Sequence, residues 1–290
     1  YGNYGEMTNK GMEIDLGVDL IDNNDFGLSG SVNWSTNENE VTDLYGTESI
    51  NLSPGASVSS RAVVGYPLGV LYGTGSKTNA DGSFDLNSNG FPQITSSPMV
   101  LGDPNPDWRG GISLNMRYKK FRLNAVLEHS HGGEFSPRTL WVLRRFGTTQ
   151  ETANRLTLDQ SLVNYKGTTV PAGTTVRGNI EDFGGGPVLL DENWYRTGIG
   201  GGFGDNQAYN FSIADATWTK LRDLSLSYVL DTPVIKNIGL NDVILTFTGR
   251  DLININNVDG IDPEINTKGV SVAQGVEYFT NPQTKGFLFS

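Results

Sequence analysis

The stretch 102-GDPNPDWRGGISLNMRYKKFRLNAVLEH-129 reads as two β-strands joined by a very short turn. Apolar residues such as Ile112, Leu114, Leu123 and Leu127 alternate with polar ones, which is the two-residue period of a strand. In a soluble sandwich the polar face of such a hairpin contacts water. In a membrane barrel the apolar face contacts lipid, and the polar face lines the interior. Alternation alone leaves both orientations open.

The composition favours an all-β protein. The 290 residues include 37 glycines and 10% aromatics, with only 18% charged residues, a profile typical of many strands and turns. Because there is no cysteine, disulfides, thiolate nucleophiles and zinc–thiolate sites are excluded. The net charge of -11, with Arg144 and Arg145 as the densest basic pair, argues against a nucleic-acid partner.

Two further hairpins flank the opening one. "KGMEIDLGVDLI" (10–21) pairs with "FGLSGSVNWST" (26–36), and "TWTKLRDLSLSYVL" (217–230) pairs with "DVILTFTGRDL" (242–252). Short turns alternate with long loops at 37–107, 131–215 and 253–283, so all the long loops fall at one end of the strands. Outer-membrane barrels have this arrangement, with short periplasmic turns and long extracellular loops. The sequence therefore predicts a portion of an antiparallel transmembrane β-barrel.

This prediction assigns a side to each face of the sheet. We expect Ile112, Leu114, Leu123 and Leu127 to contact lipid and the "YKKF" turn (118–121) to face the periplasm. About seven crossings are predicted, and bacterial barrels have even strand numbers, so we expect a piece of a larger barrel. The side chains expected to line the lumen are Glu13, Asp15, Asp19, Arg117, Arg122 and Glu128.

Seven stretches in order carry a family resemblance. They are "NKGMEIDL" (9–16), "GYPLGVLYG" (65–73), "GDPNPDW" (102–108), "YKKFRLNAVLEHSHGGEF" (118–135), "TWTKLRDLSLSY" (217–228), "TGRDLININNVDGIDPEIN" (248–266) and "PQTKGFLFS" (282–290). With them the chain resembles the C-terminal part of SusC/RagA-type TonB-dependent transporters of the Bacteroidota outer membrane. It departs from the family pattern in the short last strand and in the loop "NADGSFDLNSNGFP" (79–92).

The resemblance implies a barrel of roughly 22 strands, with a plug and a TonB contact region that are not in this chain. It implies energised import of a glycan or peptide, without catalysis. The implied partners are a SusD-like surface lipoprotein acting as a lid, the TonB complex, an oligosaccharide or peptide substrate, and membrane lipid or lipopolysaccharide.

Two hypotheses concern metals. Asp85, Asn87 and Asn89 have the D-x-N-x-N-G spacing of the first half of a calcium loop, but Ser96 stands where a bidentate Glu belongs. Such residues also simply form turns. His129 and His131, with a carboxylate at Glu134, could hold a metal, but an ordinary polar rim is the better explanation.

Aromatic and basic residues in the second long loop are the candidates for substrate or lid contact, because aromatics stack on sugars and arginines bind carboxylates or sulfates. The alternative is that these aromatics only pack the loop. The candidates are Trp141, Arg144, Arg145, Trp194, Tyr195 and Arg196.

Other functions stay open. Paired carboxylates can hydrolyse glycosides, but Glu13 and Asp15 lie on one strand without an opposed partner, so no enzyme is expected. The alternatives to an importer are a secreted or surface glycan-binding β-sandwich and a TonB-type barrel with a secretion role.

Overall fold

The structure is a computed structural model that describes residues 5–53, 57–197, 200, 207–237, 239–240, 243–269, 271 and 274–290. In chain order its strands are β1 (Glu6–Asp22), β2 (Phe26–Asp43), β3 (Ser49–Ser53), β4 (Ser59–Val63), β5 (Val70–Gly73), β6 (Met99–Gly102), β7 (Trp108–Tyr118), β8 (Phe121–His131), β9 (Glu134–Pro137), β10 (Arg155–Thr157), β11 (Leu162–Val163), β12 (Thr169–Val170), β13 (Thr175–Arg177), β14 (Asn179–Asp182), β15 (Pro187–Leu190), β16 (Ala214–Asp215), β17 (Trp218–Leu230), β18 (Val243–Asn256), β19 (Val276–Glu277) and β20 (Gly286–Phe289). The helices are α1 (Arg138–Arg145), α2 (Gln150–Ala153), α3 (Glu192–Thr197) and α4 (Pro233–Asn237), with a 3-10 helix at Tyr209–Ser212.

Seven strands form one antiparallel sheet, which we call the wall sheet. Its order is β1-β2-β7-β8-β17-β18-β20, so each strand pairs with the next wall strand along the chain. The predicted count of about seven crossings is therefore confirmed. The sheet is open, with β1 and β20 at its edges.

The connections alternate as predicted, but their limits differ. The short ones are 23–25, 119–120 and 231–242, and the long ones are 44–107, 132–217 and 257–285. The first loop begins later than expected because β2 continues through the polar stretch 37–43, where Lys10 pairs with Glu38. Strand pairing uses backbone groups, so a hydrated polar segment can extend a strand beyond its apolar pattern.

The wall sheet has one apolar and one polar face. Register aligns one apolar residue from each of six neighbouring strands, and the next row along the strands is largely polar. The apolar row is Leu16, Val32, Ile112, Leu127, Leu221 and Ile253, and the polar row is Asp15, Asn33, Gly111, Glu128, Lys220 and Asn254.

The apolar face is exposed. Leu16 is 66% exposed, Ile112 50%, Leu114 39% and Leu127 38%, while Leu123 is half-buried. A sandwich would cover these side chains with a second sheet and bury them. Their exposure favours the lipid-facing orientation over the sandwich alternative.

Arg117 holds the turn between β1 and β2. Its guanidinium lies 3.0 Å from Asp22 Oδ1 and donates to the carbonyl oxygens of Asn23 (2.7 Å) and Asn24 (3.0 Å). Gly27 faces it, and a Cβ there would lie 3.3 Å from Arg117 Nη2. The absence of a side chain at Gly27 thus leaves room for the arginine to satisfy the turn carbonyls.

The long loops fold into small sheets with their own cores. The stretch "RAVVGYPLGVLYG" (61–73) belongs to the sheet β3-β4-β5-β6 and is not a wall strand, as expected. The buried apolar clusters also lie mainly in these loops, for example around Phe91, Trp194 and Leu71. In the described part of the chain, no helix is long and apolar enough to cross a membrane.

Adjacent substitutions on β7 test the two faces. Ile112→Arg places a charge on the apolar face and should lower the free energy of unfolding of the full-length protein in lipid by about 2 kcal/mol or more. Ser113→Arg, one residue along on the polar face, is the matched control and should change it by less than about 1 kcal/mol. Denaturant titration of protein in vesicles measures both. Equal losses from the two variants would contradict the assignment of faces.

Candidate functional site

The polar face of the wall sheet carries all the residues expected to line a lumen. Cross-strand register puts them on the side opposite the apolar row: Glu13, Asp15, Asp19, Arg117, Arg122 and Glu128. Glu13, Asp15 and Asp19 are exposed along β1. They form an exposed, acidic stretch of this face.

A buried lysine on this face was missed from the sequence. Lys220, in β17, has no exposed surface. Its ammonium donates to both Asp262 carboxylate oxygens (2.8 and 2.7 Å), to Glu264 Oε2 (2.6 Å) and to Gln283 Oε1 (2.9 Å). The three residues that carry these oxygens belong to the connection 257–285, so the lysine ties this loop to the wall sheet.

Arg222 extends the same cluster. Its Nε lies 2.6 Å from Glu128 Oε2, its Nη1 lies 3.5 Å from Asp251 Oδ1, and its Nη2 pairs with Glu264. The guanidinium also lies 4.9 Å from the ring centre of Trp218. Glu264 therefore bridges the two cations of the wall.

A β-bulge lies at Arg222. The register of β17 shifts between Leu221 and Asp223 against both of its neighbouring strands, and against β8 the extra residue is Arg222, which has no direct partner there. Arg222 follows Lys220 by two residues, so both side chains lie on the polar face, where Arg222 contacts Glu128.

The loop carboxylate Glu264 stays ionised in the cluster. Burial alone would raise its pKa, but hydrogen bonds from Arg222 and Lys220 and their charges lower it below the usual value. The sequence signal was "GIDPEIN" (260–266), which contributed to the family resemblance without suggesting this pairing. We call Lys220, Arg222, Asp262 and Glu264 the wall cluster.

Apart from the wall cluster, a cleft in the loop 132–217 is a candidate site. The end of α1, the strand β13 and the helix α3 enclose a cleft of about 420 Å³, which we call the arginine cleft. Its charged lining consists of Arg144, Arg145, Arg177, Arg196, Asp191 and Glu192. Four of the predicted contact residues, Arg144, Arg145, Tyr195 and Arg196, therefore line this cleft, together with Arg177, which was not predicted.

Hydrogen bonds from neighbouring polar groups fix Tyr195 at the edge of the cleft. Its hydroxyl donates to Glu151 Oε1 (3.2 Å) and accepts from Asn179 Nδ2 (2.7 Å). Burial, with the nearby charge of Glu151, raises the pKa of Tyr195 to about 12. The tyrosine is therefore neutral near pH 7 and acts as a hydrogen-bonding link.

The three predicted aromatics are buried. Trp141, Trp194 and Tyr195 are 6%, 4% and 5% exposed. Trp194 packs against Phe91 with ring centres 5.5 Å apart, and Trp141 stacks on Tyr209 at 5.9 Å. In this conformation they stabilise the loop interior, so direct substrate or lid contact by these aromatics stays a prediction.

Two side chains of the calcium hypothesis already accept hydrogen bonds. Asn87 Oδ1 accepts from the backbone N–H groups of Asn89 (2.9 Å) and Phe91 (3.2 Å), and Asp85 Oδ1 accepts from Gln93 Nε2 (3.0 Å). These contacts are typical of a turn. They favour the turn interpretation, and calcium binding by Asp85, Asn87 and Asn89 remains an untested hypothesis.

The histidines do not form a metal site with Glu134. His129 and His131 stack with Trp108, at ring-centre distances of 4.8 and 5.5 Å, and His129 Nδ1 lies 2.7 Å from Thr219 Oγ1. Glu134 instead accepts from the Asp103 backbone N–H at 3.1 Å. Nowhere in the described ranges do three His, Asp or Glu side chains form a metal-binding group, so the geometry favours the polar-rim explanation.

Two curated proteins of Formosa agariphila are similar over almost the whole chain. TonB-dependent receptor P3 is 25% identical, with 98% of this chain and 28% of the receptor covered. TonB-dependent receptor P26 is 23% identical, with 97% and 29% covered. The chain thus spans less than a third of either relative. No family model matches it.

Solved structures share the fold. The RagAB peptide importer in its closed-closed state matches with a TM-score of 0.59 and 19% identity, covering 98% of this chain and 29% of that chain. The open-open state gives 0.61 and 18%, covering 98% and 28%. These similarities confirm the resemblance to SusC/RagA-type TonB-dependent transporters. The wall sheet is an antiparallel part of a transmembrane β-barrel, which the described residues do not close.

Loss of the buried lysine should be costly. Lys220→Met leaves Asp262 buried without its counter-charge and should lower the free energy of unfolding of the full-length protein by about 3 kcal/mol. Adding Asp262→Asn should recover part of the loss, because the uncompensated charge is removed. The exposed Lys285→Met is the control and should cost less than about 0.5 kcal/mol. Denaturant titration measures all three, and a Lys220→Met loss no larger than that of Lys285→Met would contradict the pairing.

Acid should loosen the loop 257–285. In the folded protein the pKa of Glu264 lies below its usual value of 4.5. Above pH 4.5 the ionised carboxylate therefore stabilises the cluster, and this contribution is lost as the pH falls through the lowered pKa. A fluorophore on Lys268→Cys should show falling anisotropy below about pH 4.5. With Glu264→Gln this transition should be absent. A transition of the same midpoint and amplitude in both proteins would rule out Glu264 as its origin.

Proposed function

We propose that this chain forms wall strands and extracellular loops of an outer-membrane TonB-dependent importer of glycans or peptides. The proposal rests on one observation. The wall sheet has an exposed apolar face and an opposite polar face, and its long loops lie together at one end. In lipid, a sheet satisfies its backbone groups only by closing on itself. The remaining strands, the plug and the TonB contact would come from the rest of a longer protein.

The proposed partner is a SusD-like surface lipoprotein that covers the loops. The similar solved structures are described as a RagAB peptide importer and transporter, in closed and open states. By analogy, the loops 44–107 and 132–217 would meet both the lid and the incoming nutrient. Their buried clusters around Trp194 and Trp141 support this role, because a lid contact needs loops of defined shape.

No catalytic step is proposed. The relatives are named as receptors, and the carboxylates Glu13, Asp15 and Asp19 lie exposed along one strand. Glycosidases place two carboxyl groups on opposite sides of the scissile bond. These three share one face of β1, where they suit a hydrated lumen wall.

Growth of the native bacterium tests the importer function. Cells lacking the full-length gene should lose growth on a subset of polysaccharides or protein digests supplied as sole carbon source. Cells lacking TonB should lose the same subset, because import depends on TonB energy. Growth on a monosaccharide is the control, and a plasmid copy of the full gene should restore the lost growth.

Two outcomes would contradict the proposal. Unchanged growth of the deletion strain on every substrate, with loss of proteins from the cell surface, would favour a secretion role. Recovery of the full-length protein in soluble form without detergent would favour a glycan-binding surface protein. Affinity purification of the detergent-solubilised protein tests the partner, which should co-purify as a lipidated, surface-exposed subunit.

A further inference from the structure

We propose that the arginine cleft binds the carboxylate or sulfate groups of an acidic oligosaccharide, which makes the transported substrate anionic. The inference deepens the proposed function, on which it rests, since it assumes that the loops meet the nutrient. It depends on three features of the cleft: a guanidinium held in place without a counter-ion, an excess of positive charge, and a hydroxyl-compatible lining.

Arg177 is the fixed guanidinium. Its Nε donates to the Thr152 carbonyl oxygen (2.5 Å), and its Nη2 donates to the Gly147 carbonyl oxygen (2.6 Å). Within the described ranges no carboxylate lies within ion-pair distance of it. A guanidinium already oriented by backbone acceptors loses little side-chain entropy when it binds an anion.

The chain provides space for this arginine. Gly147 has a φ of +70°, which disfavours other residues, and a Cβ there would lie 3.0 Å from Arg177 Nη2. Gly147 also ends α1, since its N–H bonds to the Arg144 carbonyl oxygen at 2.9 Å. The turn that caps the helix therefore also positions the guanidinium.

The cleft is positive within an acidic chain. Four arginines and two carboxylates line it, and Glu151 pairs with Arg144 at 2.7 Å beside it, which leaves a formal charge of +1, whereas the chain carries -11. Asp191 is occupied with the start of α3, where it accepts from the Asn193 N–H (2.9 Å). Glu192 pairs with Arg196 at 2.5 Å. An anion approaching these loops is therefore attracted to this cleft and repelled by much of the surrounding surface.

Size and lining favour a sugar over a peptide. A volume of about 420 Å³ is that of a small-molecule site rather than a flat protein contact. Phe146 is 73% exposed at its rim and offers a face for stacking. The rest of the described lining is mixed: Thr152 and Asn193 offer polar groups, and Val176 and the arginine stems offer apolar surface. A sugar ring presents both hydroxyl groups and an apolar face, so it suits a lining of this kind.

The test uses the detergent-solubilised full-length protein and isothermal titration calorimetry. The probes are tetragalacturonate, its neutral methyl ester, a sulfated carrageenan tetrasaccharide and tetraglutamate. The variant is Arg177→Gln/Arg196→Gln, and the control is Arg155→Gln, an exposed arginine of the same loop that lies outside the cleft. A second variant, Arg145→Gln/Arg196→Gln, leaves the Arg177 backbone contacts intact in case their loss disturbs the fold.

The inference predicts that at least one acidic sugar binds and that both double variants weaken it about tenfold or more, while Arg155→Gln stays within twofold. Neutral methyl ester should bind weakly and equally to all proteins. The inference is overturned if no acidic sugar distinguishes the double variants from Arg155→Gln. Tighter, cleft-dependent binding of tetraglutamate would overturn the sugar assignment in favour of an acidic peptide.

This result is separate from the test of import. If the full-length protein supports TonB-dependent growth but its substrates bind equally to all the variants, only the anionic-ligand inference fails. If the deletion strain grows normally on every substrate, the proposed function itself fails, whatever the cleft binds.

Discussion

The fold depends on one constraint, which is that a chain in hydrocarbon must pair every backbone N–H and C=O group within itself. Antiparallel pairing between consecutive wall strands meets this need, and the two-residue period then separates the side chains by face. Leu16, Val32 and Ile112 align on one side, and Asp15, Asn33 and Glu128 on the other. The apolar face of the wall sheet therefore has no protein core against it, because lipid covers it where a soluble sandwich would have a second sheet.

Once the apolar residues are committed to lipid, stability on the other side must come from polar contacts. The wall cluster provides them where β17 meets the loop 257–285. Lys220 is fully buried there, and Arg222 beside it contacts Glu128. A buried ion pair is not stabilising by default, since desolvation offsets much of its attraction. Here the ion pairs of the wall cluster fix where the loop 257–285 lies against the polar face.

The alternation of the strands made the wall predictable from sequence, and Ile112 and Leu127 are exposed on the same face as expected. The extent of β2 was not predictable, because residues 37–43 pair through their backbone without an apolar pattern. The wall cluster was missed because Lys220 and Asp262 are far apart in sequence and a bulge intervenes. In the loop 132–217, the sequence predicted three of the arginines that line the cleft, namely Arg144, Arg145 and Arg196. Arg177 was not, because it stands alone between small and β-branched residues.

Depth-sensitive fluorescence quenching shows directly whether the apolar face of the wall sheet contacts lipid. These 290 residues contain no cysteine, so single cysteines at positions 111 to 116 of the full-length protein, with any other cysteines removed, can each carry a fluorophore. In vesicles containing brominated lipid, we expect strong quenching at 112, 114 and 116 and weak quenching at 111, 113 and 115, because alternate residues of β7 face the lipid. Uniformly weak quenching, or the opposite alternation, would contradict it.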